Sequence, residues 1–278
     1  MVSESPPRAG RKWQFSTRSG PWPLLSSCRR SPDVDSLAPG GGGGYHDRMS
    51  TSSILTVMYE SMRGRFGDRH WWPAKEAAPP DRRALEICVG AILTQNTAWS
   101  NVEKALANLR ASGALDVRVL ARMPAADLAE RIRPAGYFNV KAKRLKNFIA
   151  CVWNFREGDI SAFLDRSVDT LREDLLSISG IGAETADCII LYAAGKLSFV
   201  VDAYTCRILR RHKLVGPDDD YTSVQELMAG ALPKDVSLWN DYHAQLVETG
   251  KQYCRPTARC AGCPLEGYPH DPAADKEP

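Results

Sequence analysis

The sequence predicts an all-α protein, and three observations carry that reading. From Met49 onward, apolar residues recur at helical spacing almost everywhere. Leu85–Leu93 (LEICVGAIL) is apolar on nearly all sides, as expected of a helix buried at the centre of a fold. The one strand-like run, Leu197–Val201, is too short and solitary to build a sheet.

Residues 1–48 read as a disordered extension. Pro6-Pro7, Ser26-Ser27, Ser31-Pro32 and the run Gly40–Gly44 carry no periodicity. Arg29-Arg30 precedes no apolar stretch, so neither a secretory nor a twin-arginine leader is expected. No apolar run approaches the ~20 residues of a membrane span. The expectation is a cytoplasmic, nucleoid-associated bacterial protein, monomeric and away from membranes. Its 278 residues suffice for about two domains.

The net charge of +3 lies wholly in that extension, where seven Lys/Arg face four Asp/Glu. The remaining residues hold 29 of each sign. Overall basicity is therefore no argument for nucleic-acid binding by the folded part, and any such argument must come from local clusters.

Several helix starts are legible. Ser100-x-x-Glu103 has the capping-box pattern ahead of Val102, Ala105, Leu106 and Leu109. Asn139 is placed to cap a helix with Leu145, Phe148, Ile149 and Val152 on one face. Ser167 opens another with Val168, Leu171, Leu175 and Ile178, and Thr222-x-x-Gln225 repeats the capping-box pattern.

Leu175–Arg207 is the most informative segment. A helix is expected to end at Ile178, Gly180-Ile181-Gly182 to form a hairpin, and a second helix to begin near Glu184. The glycines let backbone approach a ligand closely, and a helix start offers free N–H groups to an anion. Such a helix-hairpin-helix grips a DNA phosphate without reading a base. Twenty residues past Gly182, Asp202 follows the apolar Phe199-Val200-Val201. A carboxylate carried into an interior is costly without a task or a partner. Asp202 either caps the helix expected over Ala203–Lys213 or performs chemistry, and the two roles are compatible.

The hairpin, the Ile/Val-rich second helix and Val200-Val201-Asp202 at this spacing resemble the HhH-GPD superfamily of DNA glycosylases, typified by endonuclease III. The resemblance runs from about Ile54 to Leu265 and takes in ILTQNT (Ile92–Thr97), GYFNVK (Gly136–Lys141) and the Cys-rich C-terminal segment. It implies helical lobes over 76–196 and over 49–75 plus 197–278, with damaged double-stranded DNA bound between them. It also implies that Gln95 fills the space left by an everted nucleotide. Gly180, Gly182 and Thr185 would meet the DNA backbone, and Asp202 would be catalytic.

One departure bears on the chemistry. Strand-cleaving members carry Lys at the second position after the hairpin, where this chain has Glu184. A Schiff base needs an amine, and no Lys occurs between Leu175 and Gly195. The implication is a monofunctional glycosylase, with lyase activity weak or absent. Glu184 then lines the pocket or supports Asp202, unless it is simply an exposed acid in a first helical turn.

Glu184, ILTQNT and Trp71-Trp72-Pro73 together resemble the 3-methyladenine branch of that superfamily. Two indoles and a proline offer flat apolar faces that suit a flipped base, and indole faces attract a cationic alkylpurine. The alternative is that the tryptophans anchor the first helix. Rival functions are a glycosylase for oxidised pyrimidines or mismatched bases, and a non-catalytic hairpin module.

Two basic clusters are candidate phosphate contacts: Lys141, Lys143, Arg144 and Lys146, and Arg207, Arg210, Arg211 and Lys213. Lys141 and Arg207 are the residues expected at DNA. Of the eight cysteines, Cys88, Cys151, Cys188 and Cys206 read as buried reduced thiols. Cys254-x5-Cys260-x2-Cys263 resembles the [4Fe–4S] loop of endonuclease III relatives, but the first spacing is one residue short and no fourth cysteine follows. His270 is the expected fourth ligand of a cluster, or of a zinc ion. A loop without metal is the third possibility.

Overall fold

The computed structural model describes residues 50–69, 71–72 and 79–274. The expected disorder over residues 1–48, and Pro73, lie outside them. Among the described residues there is no strand. The order is α1 (Thr51–Phe66), α2 (Pro80–Leu93), α3 (Trp99–Ala111), α4 (Val117–Arg122), α5 (Ala125–Arg131) and α6 (Phe138–Asn154). Next come α7 (Ile160–Leu164), α8 (Val168–Ser177) and α9 (Ala183–Cys188), which runs on as a π-turn over Ile189–Ala193. Then follow α10 (Ala203–Arg211), α11 (Tyr221–Ala231) and α12 (Val236–Gln252). No helix is long and apolar enough to cross a membrane among the described residues.

α2 is the inner helix. Every residue from Leu85 to Leu93 is buried, and α3, α6, α7, α9 and the π-turn pack against it. Burying Glu86 is tolerated because Arg110 of α3 meets its carboxylate with two bonds, at 3.0 and 2.8 Å. On the other side, α12 packs against α1, α10 and the π-turn.

Asp187 of α9 anchors the second hairpin helix. Its fully buried carboxylate accepts from Arg172 of α8 at 2.8 and 3.1 Å, from Ser198 at 2.6 Å and from Tyr221 of α11 at 2.7 Å. One side chain thus fixes three neighbouring segments around α9.

The Ser167 cap forms as expected, accepting from the Thr170 amide. Three other expected caps do not. α3 starts at Trp99 behind Ala98, so Ser100 lies inside the first turn, and Trp99, the first residue of the helix, packs on Trp71 and Trp72. α6 starts at Phe138 behind a left-handed Tyr137 (φ 44°), so Asn139 is internal. α11 is capped by Asp220, which takes the Ser223 amide at 2.8 Å ahead of Thr222.

Candidate active site

α8 ends at Ser177, and the chain turns through Gly180 at φ 99°. A Cβ there would lie 2.4 Å from Cγ of Arg144, so both conformation and space require glycine. Gly182 follows in extended backbone as the N-cap of α9. Gln95, just past α2, is tied to this hairpin. Its Nε2 donates to Gly180 O at 3.1 Å and to Thr185 Oγ1 at 2.9 Å, and its Oε1 accepts from Arg144. Gln95, Gly180 and Thr185 therefore come together, and Thr185 is buried with its hydroxyl accepting from Gln95.

Asp202 caps α10 and is 6% exposed. Its Oδ1 accepts from the amide and the hydroxyl of Thr205 at 2.7 and 2.9 Å. Oδ2 faces Nε2 of His243 at 3.6 Å. Burial pulls this carboxyl upward in pKa, but His243 and the Thr205 donors outweigh it and the net direction is down. Glu184 lies close enough to feel Asp202. Its side chain is open to solvent, yet the protein mass around the carboxyl pushes it up to about 8, with the Asp202 charge adding to the rise. The two candidate carboxyls thus influence each other across the start of α9 and the N-cap of α10, with Asp202 shifted down and Glu184 shifted up.

An aromatic wall stands near them. Trp72 meets Trp99 edge-on, with ring centroids 5.0 Å apart, and lies 5.4 Å from Tyr192 of the π-turn. Trp71 is 5.9 Å from both Trp72 and Trp99. Trp72 is only 6% exposed, and its ring lies 3.0 Å from the point where a Cβ on Gly90 would stand. The expectation that both indoles offer open faces is corrected here: Trp72 is an inner wall packed on α2, while Trp71 stays half-buried. Lys251 of α12 places its ammonium 5.5 Å from the Trp71 ring centre. Burial lowers its pKa, while Glu248 and Asp202 draw it back up. An amine does therefore reach the site, from a helix that a search around the hairpin sequence overlooks. Trp99, Tyr192, His243 and Lys251 were all missed, because only folding brings the last three to Asp202 and Trp99 to the other tryptophans.

Residues 89–234 match the HhH-GPD superfamily of base excision DNA repair proteins. The chain belongs to that superfamily. This HhH-GPD protein is a DNA glycosylase of base excision repair, an enzyme acting on N-glycosyl bonds. It is 41% identical over 216 residues to a Methanocaldococcus jannaschii protein named as a DNA repair glycosylase, covering 77% of this chain and 95% of that one. Its fold matches H. pylori 3-methyladenine DNA glycosylase bound to 1,N6-ethenoadenine, with a TM-score of 0.61 and 28% identity over 73% of this chain and 98% of that one. An endonuclease III–DNA complex shares the fold at TM-score 0.66 and 20% identity, over 81% of this chain and 97% of that one.

Four basic residues of the two clusters serve the scaffold of this glycosylase rather than its surface. Lys141 is 1% exposed, and its Nζ donates to Leu93 O and Ala135 O, both at 2.8 Å. It closes the end of α2 and does not reach a phosphate; burial, with Arg144 adding, lowers its pKa to about 8. Lys146 likewise donates to three carbonyls at the end of α4, those of Leu120, Ala121 and Met123. Arg207 is 2% exposed and donates to Cys254 O at 2.7 Å, so it too is no surface contact. Arg211 is equally buried and donates to Cys254 Sγ at 3.2 Å, Arg255 O at 2.7 Å and Pro256 O at 3.0 Å. Buried polar side chains need partners, and these cations find carbonyls, with Cys254 Sγ added for Arg211 and Nη2 of Arg207 left without a hydrogen bond.

Cys254, Cys260, Cys263 and His270 line one cavity together with Arg211 and His212. Burial pushes the Cys263 thiol up to about 11, with the Cys254 and Cys260 thiols raising it further. His270 donates from Nδ1 to Tyr268 O (2.8 Å) and lies against His212, ring centroids 5.4 Å apart. Among the described residues, no three His, Cys, Asp or Glu side chains are grouped so as to hold a metal ion. As arranged, the four residues do not form the ligand set implied for a [4Fe–4S] cluster or a zinc ion. Of the remaining cysteines, Cys88 and Cys206 are buried as expected, whereas Cys151 and Cys188 are only half-buried.

Proposed function

We propose that this glycosylase is monofunctional and hydrolyses the N-glycosidic bond of a flipped alkylated purine such as 3-methyladenine. The observation that carries the reading is Glu184 in the first turn of α9, a carboxyl within electrostatic reach of Asp202 at the position where strand-cleaving relatives carry an amine. The likeness to a 3-methyladenine glycosylase and the aromatic wall support the choice of lesion.

Everting the nucleotide costs a few kcal/mol, least for a damaged base. As the C1′–N bond breaks, its electron pair leaves with the base and discharges the cationic ring. The sugar becomes oxocarbenium-like, and the ionised Asp202 stabilises that charge. Water then adds to C1′, and its proton passes to the Asp202–Glu184 pair.

A second reading, an endonuclease III-like enzyme with amine chemistry, draws on Lys251. Duplexes bearing single lesions (3-methyladenine, 7-methylguanine, thymine glycol, uracil) decide between them. Abasic sites should form fastest from the alkylpurines, after correction for spontaneous depurination, and Asp202→Asn should slow the step by roughly 10³-fold. Asparagine still caps α10, so the loss reports chemistry. Faster release of thymine glycol or uracil would overturn the lesion assignment.

A further inference from the structure

Asp202 is gripped from one side only. Thr205 occupies Oδ1, and Oδ2 is left facing Nε2 of His243 at 3.6 Å. The His243 ring is 6% exposed, and Nε2 has no hydrogen-bond partner. Its other nitrogen, Nδ1, lies 2.5 Å from the Tyr192 hydroxyl. Burial drives the Tyr192 phenol well above its ordinary range, so the hydroxyl keeps its proton. When that hydroxyl donates to Nδ1, the imidazole carries its proton on Nε2, the atom that faces Oδ2 of Asp202.

We propose that His243 is a positioning residue for Asp202. Tyr192 fixes the tautomer, and Nε2–H fixes the direction and charge of the Oδ2 that faces the sugar. At 3.6 Å the contact is longer than a formed hydrogen bond. Contacts of this kind are often long without substrate and tighten in the complex. Tyr192 also packs on Trp72, 5.4 Å between centroids, so one chain of side chains runs from the aromatic wall to the reacting carboxylate.

The titratable groups facing Asp202 are Glu184 and Cys188 from α9, Tyr192 from the π-turn, Tyr204 from α10, and His243 and Lys251 from α12. His243 and Thr205 are the groups that hold its carboxyl down. Removing His243 therefore lets the Asp202 pKa rise, and the pH below which excision fails moves up with it.

The inference rests on Asp202 being the reacting carboxylate. Single-turnover excision is followed from pH 4 to 9 for wild type, Asp202→Asn, His243→Leu, His243→Gln and Tyr192→Phe, with lesion-duplex affinity and Tm for each. The probe is a duplex with one 3-methyladenine, replaced by the preferred lesion if the panel above selects another. His243→Leu should slow excision about 10–100-fold, the range typical of lost orienting partners. Affinity should stay within about threefold, and the acid limb should move up by about one pH unit. His243→Gln, which keeps an N–H donor, should recover most of the rate. Tyr192→Phe should fall between the two. In Asp202→Asn, adding His243→Leu should cost nothing further.

An unmoved acid limb, or a rate loss equal in His243→Leu and His243→Gln, would assign His243 to packing and overturn the proposal. If His243→Leu does not fold, an unchanged rate and limb in Tyr192→Phe overturns it instead. Full activity of Asp202→Asn would sink the role of Asp202 itself, a separate outcome.

Discussion

The carboxyl of Glu184 sits within electrostatic reach of Asp202, and the pair holds its charge unequally: Glu184 is pushed up to about 8 by its surroundings and by Asp202, while the Asp202 pKa lies below its ordinary value. Two carboxyls on adjoining helices thus behave as one ionised acid and one neutral acid through the mildly acidic range.

This asymmetry sets a pH dependence of stability. The folded pKa of Glu184 lies near 8, against an ordinary 4.5. The folded state binds the extra proton across that window, so stability from this group is full below 4.5 and is lost as pH rises through 8. Glu184→Gln should therefore gain Tm relative to wild type between those limits and show a constant difference above them. The side chain is open to water, which keeps the effect modest. A Tm difference that is flat from pH 4 to 9 would remove the coupling.

Strand cleavage is a second test. With Glu184 in the hairpin helix, borohydride should trap little covalent protein–DNA adduct on an abasic duplex. Any adduct that does form should disappear in Lys251→Met, since that amine reaches the aromatic wall. Efficient trapping that survives Lys251→Met would point to a nucleophile elsewhere.

Lesion preference should depend on Trp71 more than on Trp72. Trp71→Leu keeps apolar area but removes the indole face, and the preference for cationic over neutral lesions should drop by up to about thirtyfold, the limit of a ~2 kcal/mol cation–π contact. Trp72→Leu should instead lower Tm, because that ring is packed on α2. Competition between labelled lesion duplexes, read beside thermal melts, separates the two effects.

Arg211→Ala should release the C-terminal loop. It leaves the Arg255 and Pro256 carbonyls without their guanidinium donor, at a cost of about 3 kcal/mol. Hydrogen exchange should quicken over residues 254–270 and leave α2 protected. Unchanged exchange there would mean that the loop is held by other contacts.

The helical class, the buried run Leu85–Leu93 and the hairpin were legible because each rests on local pattern. Asp202 was legible because an apolar run delivers it. The caps at Ser100, Asn139 and Thr222 were misread, since those helices start behind Ala98, a left-handed Tyr137 and Asp220 respectively. Lys141 and Arg207 were misread for a different reason. A basic cluster in sequence does not record which cations point inward, where unpaired carbonyls near helix ends accept from them. His243 and Tyr192 lie 51 positions apart and carry no local signature.

The inward use of these cations has a consequence for counterions. DNA affinity falls with salt in proportion to the phosphates neutralised, with a slope of about −0.9 per contact. Lys141, Lys146, Arg207 and Arg211 are already committed to backbone carbonyls. Lys143 and Lys213 are the cluster members that remain exposed. Cations held inward in this way displace no counterions when the duplex arrives, so the salt dependence of binding should fall to Lys143, Lys213 and the exposed arginines elsewhere on the surface.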